Sequence, residues 1–197
     1  LFQLIRDQPI IDAHNHVDVA EIAENRNYED IWQVEAATDH YVWSMLRKRG
    51  IPERLITGDA TPEEKWLAAA AKWDELAGSP TYEWVHLDLF RTLGIPEVIR
   101  EASGKDIWDR SKALLQQPGM KPQALLGQMK VEVMCSTDDP TDLLDDHRHL
   151  AESDLETRVY PTYRPDRAMN IFKPDWRDYI TLLEKRVNGK FKKIEDL

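Results

Sequence analysis

Three short apolar segments, each followed by polar residues, predict three strands. They are residues 9–14, 131–136 and 158–163. Segments of this length that are rich in valine, isoleucine and tyrosine are typical of β-strands. If the strands are parallel, the polar residues that follow them lie at the edge where a (β/α) barrel has its active site.

Apolar residues at helical spacing fill most of the remaining chain. The clearest helix begins at Thr61, which can cap the helix while Glu64 completes a capping box. An apolar stripe from Trp66 to Leu76 follows, and Gly78 ends it. Further helices are predicted over residues 31–49, 106–117, 122–129, 139–152 and 174–187.

The order of these elements predicts an α/β fold with a parallel sheet. The first strand is followed by a long, mostly helical stretch, after which strands alternate with helices. A closed (β/α)8 barrel takes about 250 residues or more. Three strand signals in 197 residues therefore predict either a small α/β domain or a fragment of a barrel.

The composition indicates a globular protein in a reducing, cytoplasmic setting. Of the 197 residues 42% are hydrophobic, and the formal net charge of -10 argues against general nucleic-acid binding, which usually requires a basic surface. No apolar run approaches the roughly 20 residues of a membrane span. The lone Cys135 cannot form an intramolecular disulfide, and the first residues do not resemble a secretory signal. We expect no nucleic-acid or membrane partner, while a homo-oligomer is compatible with the sequence.

Two histidines follow the first apolar segment at a spacing that suits a metal site. Residues two apart in a strand point to the same face, so His14 and His16 can aim at one divalent ion. His147 and His149 have the same spacing, but in a predicted helix two residues subtend about 200°, and we interpret them as solvated. The alternative for the first pair is hydrogen bonding at the strand end without a metal. His-x-His alone is a weak motif, and its place after an apolar strand makes it more specific.

A second cluster combines a histidine with a tyrosine in a predicted helix. His40, Trp43 and Arg47 share one flank there, because residues three and four apart are neighbours. His40 beside Tyr41 offers proton transfer near neutral pH together with a phenolic hydrogen-bond donor. The alternative is an amphipathic helix that packs Tyr41 and Trp43 into a core.

Charged residues follow the second and third predicted strands. A guanidinium such as that of Arg164 can clamp a carboxylate with two hydrogen bonds, although Arg164 could instead pair with Asp166 or Asp138. Asp139 precedes Pro140, and we interpret it as a helix cap.

Six segments occur in an order that covers nearly the whole chain: QPIIDAHNH (8–16), EIAEN (21–25), DHYVW (39–43), ERLITGDA (53–60), STDDP (136–140) and RPDRA (164–168). In series they resemble the uronate isomerase family, also called glucuronate isomerases, of the amidohydrolase superfamily. Two features depart from the family pattern. Ser44 follows Trp43 where an arginine is frequent, so that only Arg47 is carried over, and Ala13 and Asn15 replace bulkier or sulfur-bearing residues.

The resemblance implies the N-terminal portion of a (β/α)8 TIM barrel with a helical insertion after the first strand. Residues 1–16 and 130–197 would form a partial barrel of three strands, and residues 17–129 the mostly helical insertion. The catalytic base, in this family thought to be an aspartate at the last barrel strand, would lie beyond residue 197.

The resemblance also implies aldose–ketose isomerisation of a hexuronate. D-Glucuronate would become D-fructuronate, and D-galacturonate would become D-tagaturonate, by proton transfer through an enediol. The residues involved would be His14 and His16 as ligands of a divalent metal, typically zinc, His40 and Tyr41 in catalysis, and Arg164 and Arg47 in substrate binding.

Two other functions fit parts of the same pattern. A metal-dependent hydrolase or decarboxylase of the same superfamily would use metal-activated water instead of an enediol. A non-catalytic α/β domain would have structural histidines and bind no metal.

Overall fold

The computed structural model describes residues 2–196, which divide into two units. Residues 1–25 together with 122–197 form what we call the sheet unit, and residues 26–121 form the helical unit. Among the described residues, no helix combines the length and the apolar character needed to cross a membrane. In chain order the elements are α1 (Phe2–Ile5), β1 (Ile10–Asp12), α2 (Val19–Glu24), α3 (Ile31–Glu35), α4 (His40–Lys48), α5 (Pro62–Ala70), α6 (Pro80–Arg91), α7 (Glu101–Leu115), α8 (Pro122–Gln128), β2 (Val131–Asp138), α9 (Asp145–Ala151), β3 (Arg158–Tyr163), α10 (Asp166–Met169) and α11 (Trp176–Arg186).

The sheet unit contains a parallel three-stranded sheet with β2 in the middle. Strand β3 pairs with β2 in continuous register, from Val133 opposite Arg158 to Asp138 opposite Tyr163. The predicted α/β fold with a parallel sheet is therefore confirmed. The ends of β1 and β2 lie at the same edge of the sheet, because parallel strands run in one direction.

One face of this sheet packs against helices. Met134 of β2 and Val159 of β3 are buried with Ile22 of α2 and Leu150 of α9. Since side chains alternate along a strand, Ser136 shares the face of Met134, and it is only 1% exposed. A polar hydroxyl at the end of β2 is thus held beneath α9.

The helical unit is built around a core of tryptophan and aliphatic side chains. The capping box at Thr61 and Glu64 is confirmed, with the Thr61 side chain accepting from the Glu64 backbone and the Glu64 carboxylate accepting from the Thr61 backbone. Trp66 lies on the buried face of α5, and its Nε1–H donates to the carbonyl oxygen of Gly104 on α7 at 2.8 Å. Further fully buried side chains are Ile31, Val42, Leu46, Ile56, Trp73, Leu76, Leu89, Ile95, Ile99 and Ile107.

One predicted helix, over residues 31–49, is interrupted. The structure forms α3 and α4 instead, because Asp39 is extended and its side chain accepts hydrogen bonds from the backbone N–H groups of Tyr41 and Val42. A carboxylate at this position satisfies the free donors of a helix start. The break places His40 and Tyr41 in the first turn of α4.

A second difference concerns residues 139–152, where the predicted helix begins too early. Helix α9 starts only at Asp145, and Leu144 before it adopts a left-handed conformation with φ of 57°. The interpretation of Asp139 as a helix cap is wrong in its detail: its carboxylate accepts from the backbone N–H and the hydroxyl of Thr141, at 2.9 and 2.7 Å, in a turn.

Candidate functional site

His14 and His16 bring their ring nitrogens together. The two Nε2 atoms are 3.1 Å apart, the ring planes are nearly perpendicular at 88°, and both side chains are exposed. Two nitrogens bound to one tetrahedral zinc at about 2.1 Å lie about 3.4 Å apart, so the pair fits a shared ion. The same distance also suits a hydrogen bond between the rings. Within residues 2–196 no group of three or more histidine, cysteine, aspartate or glutamate residues could hold a metal ion, so this part of the chain offers two convergent nitrogens.

The segment that carries the two histidines lies beyond the end of β1. The strand was predicted to continue to His14, but it ends at Asp12, whose carboxylate accepts from the backbone N–H of His14 and the side-chain amide of Asn15 at 3.2 and 3.0 Å. Asn15 stays attached to β2: its N–H donates to Cys135, and its carbonyl oxygen accepts from the Thr137 hydroxyl. These bonds hold the residue between the two histidines beside β2.

His147 is part of the same unit, and its interpretation as a solvated histidine is wrong. Only 8% of the residue is exposed, and Nε2 lies 2.7 Å from the Ser136 hydroxyl oxygen. The reason is that α9 packs on the sheet through its inward face, which also carries the buried Leu150 three residues later. That spacing was the signal for burial. His149 points to solvent, as predicted.

A cavity of about 450 Å³ opens in the sheet unit beside these residues. His16, Thr137 and Asp138 line it from the ends of the first two strands, and His147 lines it from α9. Four further aspartates on its wall are Asp18, Asp142, Asp145 and Asp146.

His40 and Tyr41 belong to the helical unit and are both exposed. Their ring centroids are 4.2 Å apart, and Tyr41 is 62% exposed, which excludes the alternative in which Tyr41 packs in the core. Trp43 is partly buried against that core, and its Nε1–H donates to the carbonyl oxygen of Ala36 at 2.6 Å. The histidine and the tyrosine therefore present polar atoms to solvent.

The two candidate anion-binding arginines already have carboxylate partners. Arg47 donates to both oxygens of Glu53, at 2.7 and 2.6 Å, and this pairing lowers the pKa of Glu53 to about 2. Arg164 donates from Nε to Asp166 at 2.7 Å, so the alternative ion pair predicted for it is present. Among the described residues the Nη groups of Arg164 make no hydrogen bond, whereas Arg47 donates to Glu53 from both Nε and an Nη group.

The fold and the histidine pair define an α/β protein with a candidate metal centre at the edge of a parallel sheet. The family model described as glucuronate isomerase (UxaC) matches residues 1–197, which is the whole chain. The chain belongs to the glucuronate isomerase family.

Several curated relatives are similar along the same stretch. The uronate isomerase of Thermotoga neapolitana is 47% identical over 195 residues, which cover 99% of this chain and 43% of that protein. The Thermotoga maritima uronate isomerase is 48% identical over 94% of this chain and 41% of its own length, and that of Lactococcus lactis 39% identical over 96% and 40%. The chain therefore spans about two fifths of the length of these relatives.

Two solved structures share the fold. The crystal structure of Thermotoga maritima uronate isomerase superimposes with a TM-score of 0.93 at 45% identity, over 98% of this chain and 43% of that one. Glucuronate isomerase from Caulobacter crescentus gives a TM-score of 0.89 at 25% identity, over 95% and 40%.

Proposed function

We propose that this chain carries part of the active site of a uronate isomerase that interconverts D-glucuronate and D-fructuronate, and D-galacturonate and D-tagaturonate. The observation that supports this most directly is the convergence of His14 and His16 in a chain that matches the family along its whole length. Such a reaction moves a proton between C2 and C1 of the open-chain sugar, and it needs a base, a group that handles the developing oxyanion and an anchor for the C6 carboxylate.

His14 and His16 would hold a divalent ion, and zinc suits two imidazole ligands. When bound, the ion would polarise an oxygen of the open-chain sugar and so favour loss of the neighbouring C–H proton. The remaining steps fall to side chains and to residues outside this stretch.

His40 and Tyr41 would handle protons on the sugar oxygens. Their exposed ring atoms can exchange a proton with a bound hydroxyl or carbonyl group without first breaking a buried network. Arg164 would anchor the carboxylate through its Nη groups while Nε stays bonded to Asp166. Arg47 is the second candidate, since binding a substrate there requires it to give up two hydrogen bonds to Glu53.

For the fold of the whole enzyme, we propose that the sheet unit begins a (β/α)8 TIM barrel of the amidohydrolase type. The helical unit would then be an insertion after the first strand. The parallel order β1-β2-β3 and the polar side chains at the ends of these strands support this arrangement.

The isomerase activity is tested on the natural polypeptide that contains residues 1–197. Incubation with D-glucuronate in D2O should yield D-fructuronate in proton NMR spectra, and solvent deuterium at the exchanged carbon would support an enediol. Absence of ketose from both uronates, with the Thermotoga maritima enzyme active in parallel, would overturn the proposal. Hydrolysis of a lactone or amide substrate instead would favour a metal-dependent hydrolase.

The metal assignment gives a separate prediction. The double variant H14A/H16A should lose the zinc that the wild-type polypeptide retains after dialysis, because both convergent nitrogens are removed. The measurement is elemental analysis, which does not depend on activity. The exposed His149 supplies the control, since H149A removes an imidazole from a different surface and should retain the metal. Unchanged zinc in the double variant contradicts the assignment.

A further inference from the structure

Ser136, Asp138 and His147 form a hydrogen-bonded cluster at the end of β2. The Ser136 hydroxyl oxygen lies 2.7 Å from His147 Nε2 and 2.7 Å from Asp138 Oδ2. Asp138 Oδ2 also accepts from the backbone N–H of Thr162 at 3.3 Å. Ser136 is 1% exposed and the side chain of His147 9%, so the cluster is shielded from water on that side.

Counting protons fixes the direction of these bonds. The hydroxyl of Ser136 has one proton, and its two neighbouring acceptors are Asp138 Oδ2 at 2.7 Å and the carbonyl oxygen of Tyr160 at 3.3 Å. An ionised carboxylate and a carbonyl oxygen only accept, so the proton is donated to the nearer of them, Asp138. The contact with His147 then requires a proton on Nε2, which the histidine donates to the serine oxygen. A nucleophilic serine needs the opposite arrangement, in which the histidine accepts the hydroxyl proton. The cluster is therefore built to orient Asp138.

The carboxylate of Asp138 is held by one oxygen. Oδ2 has two donors, whereas Oδ1 lies 3.6 Å from His147 Nε2 and has no hydrogen bond within residues 2–196. The side chain is 14% exposed and lines the cavity that His16 also lines. An oriented acceptor with one free oxygen beside a candidate metal ligand is suited to bind a hydroxyl group.

The negative charge of the aspartates that line this cavity determines which part of a hexuronate would bind there. Asp18, Asp142 and Asp146 line it together with Asp138, whereas Asp145, which also lines it, is paired with Arg148. These carboxylates repel the C6 carboxylate of the substrate, while sugar hydroxyls can donate to them.

On the basis of the proposed isomerase function, we propose that Asp138 accepts a hydrogen bond from a hydroxyl group of the open-chain uronate. Ser136 and His147 are positioning residues that hold its carboxylate toward the cavity. The substrate carboxylate then faces away from this wall, in keeping with an arginine anchor elsewhere.

The substitution D138N tests the contact. It removes the charged acceptor with little change of shape, and it should raise KM for glucuronate by about 10-fold to 100-fold, the loss expected for a hydrogen bond to a charged group. The turnover number should change much less, because the contact is made equally in the ground state and the transition state. Binding of L-gulonate, in which C1 of glucuronate is reduced so that it cannot isomerise, should weaken by the same factor in calorimetry.

The matched control is D146N. Asp146 lines the same cavity, and its side chain makes no hydrogen bond or ion pair among the described residues, so it reports the effect of removing one negative charge. Loss of a charge alone should leave KM unchanged or lower it, since the substrate is an anion. An equal rise of KM in both variants would overturn the proposed contact.

The positioning role is tested by a graded series. H147L should raise KM in the same direction as D138N, and H147Q should restore part of the loss because its amide can donate to Ser136. The double variant D138N/H147L should bind no more weakly than D138N, since both changes act through one carboxylate. Independent, additive losses would refute positioning.

The outcomes separate this inference from the proposed function. If the wild-type polypeptide converts no uronate, the proposed isomerase function is refuted. If the wild-type enzyme is active and D138N keeps its KM and its L-gulonate affinity within twofold of wild type, only the role of Asp138 is refuted. If D138N does not fold, S136A carries the same test, because it removes one donor to the carboxylate and keeps the one from Thr162.

Discussion

At the scale of single residues, Glu35 has an unusual environment in the helical unit. Its burial at the end of α3, and then the charges of Asp88 and Asp39, raise its pKa well above the usual value. A raised folded-state pKa gives stability that is fully present below the unfolded pKa and is lost as the pH rises through the folded pKa. Lowering the pH from above the folded-state pKa of Glu35 toward the usual value of 4.5 should therefore add stability from this group.

The variant E35Q removes this titration and should be more stable than wild type at the alkaline end of that range. Urea unfolding at several pH values measures the difference, which should shrink toward acid. E97Q is the matched control, because the hydrogen bond from Arg110 lowers the pKa of Glu97. The pH dependence then has the opposite sign: wild type should be more stable than E97Q at neutral pH, and this difference should be lost as the pH falls. The same pH trend in both variants would contradict the assignment to Glu35.

The position of a side chain could be predicted from the sequence where its contacts are with residues close to it in the chain. The convergence of His14 and His16 was predicted from their two-residue spacing on a strand, but β1 ends at Asp12 and bonds from Asn15 to β2 hold the segment instead. The burial of His147 could have been predicted from the apolar Leu150 three residues later on the same helix face, whereas its contact with Ser136, eleven residues away on β2, could not. The Ser136–Asp138 contact likewise forms only once β2 extends two residues beyond its predicted end.

At the scale of secondary-structure elements, α5 and α7 pack closely against each other at Gly104. A Cβ placed on Gly104 would lie 2.7 Å from the Cβ of Ala70, so any side chain must push the helices apart. G104A should therefore lower the free energy of unfolding by about 1–3 kcal/mol, although alanine favours helix. Thermal or urea unfolding measures this loss.

Gly127 in α8 offers the same substitution without the contact. A Cβ there would meet no atom within 4 Å, so G127A should be neutral or stabilising by about 0.4–1 kcal/mol. If both G104A and G127A raise the free energy of unfolding, the close approach of α5 to α7 does not exclude a side chain at residue 104.

The ends of helices and strands were predicted well where a local sequence pattern marks them. Strand β3 has the predicted limits, and α5 begins at the predicted capping box. The interruption between α3 and α4 was missed because residues 36–39 contain no glycine or proline to mark it, and the capping bonds of Asp39 start the second helix. Helices α2 and α6 were also missed.

At the scale of the whole molecule, the order of apolar segments was enough to predict a parallel sheet, since strands separated by helices can pair in this way. The series of short motifs was enough to indicate the family, which the match over residues 1–197 confirms. The polar cluster under α9 required the packed sheet unit, because its members come from β2 and α9.

A chimera tests whether this stretch works within a uronate isomerase. Residues 1–197 would replace the aligned part of the Thermotoga maritima enzyme, which is 48% identical over 186 residues. Cores tolerate many simultaneous hydrophobic substitutions when volume and pattern are kept, so the chimera should fold and convert D-glucuronate, with its melting temperature and NMR turnover compared with the parent. The same chimera with H14A/H16A should fold but lose zinc and turnover. A folded, inactive chimera beside an active parent would show that these residues do not supply the site proposed for them.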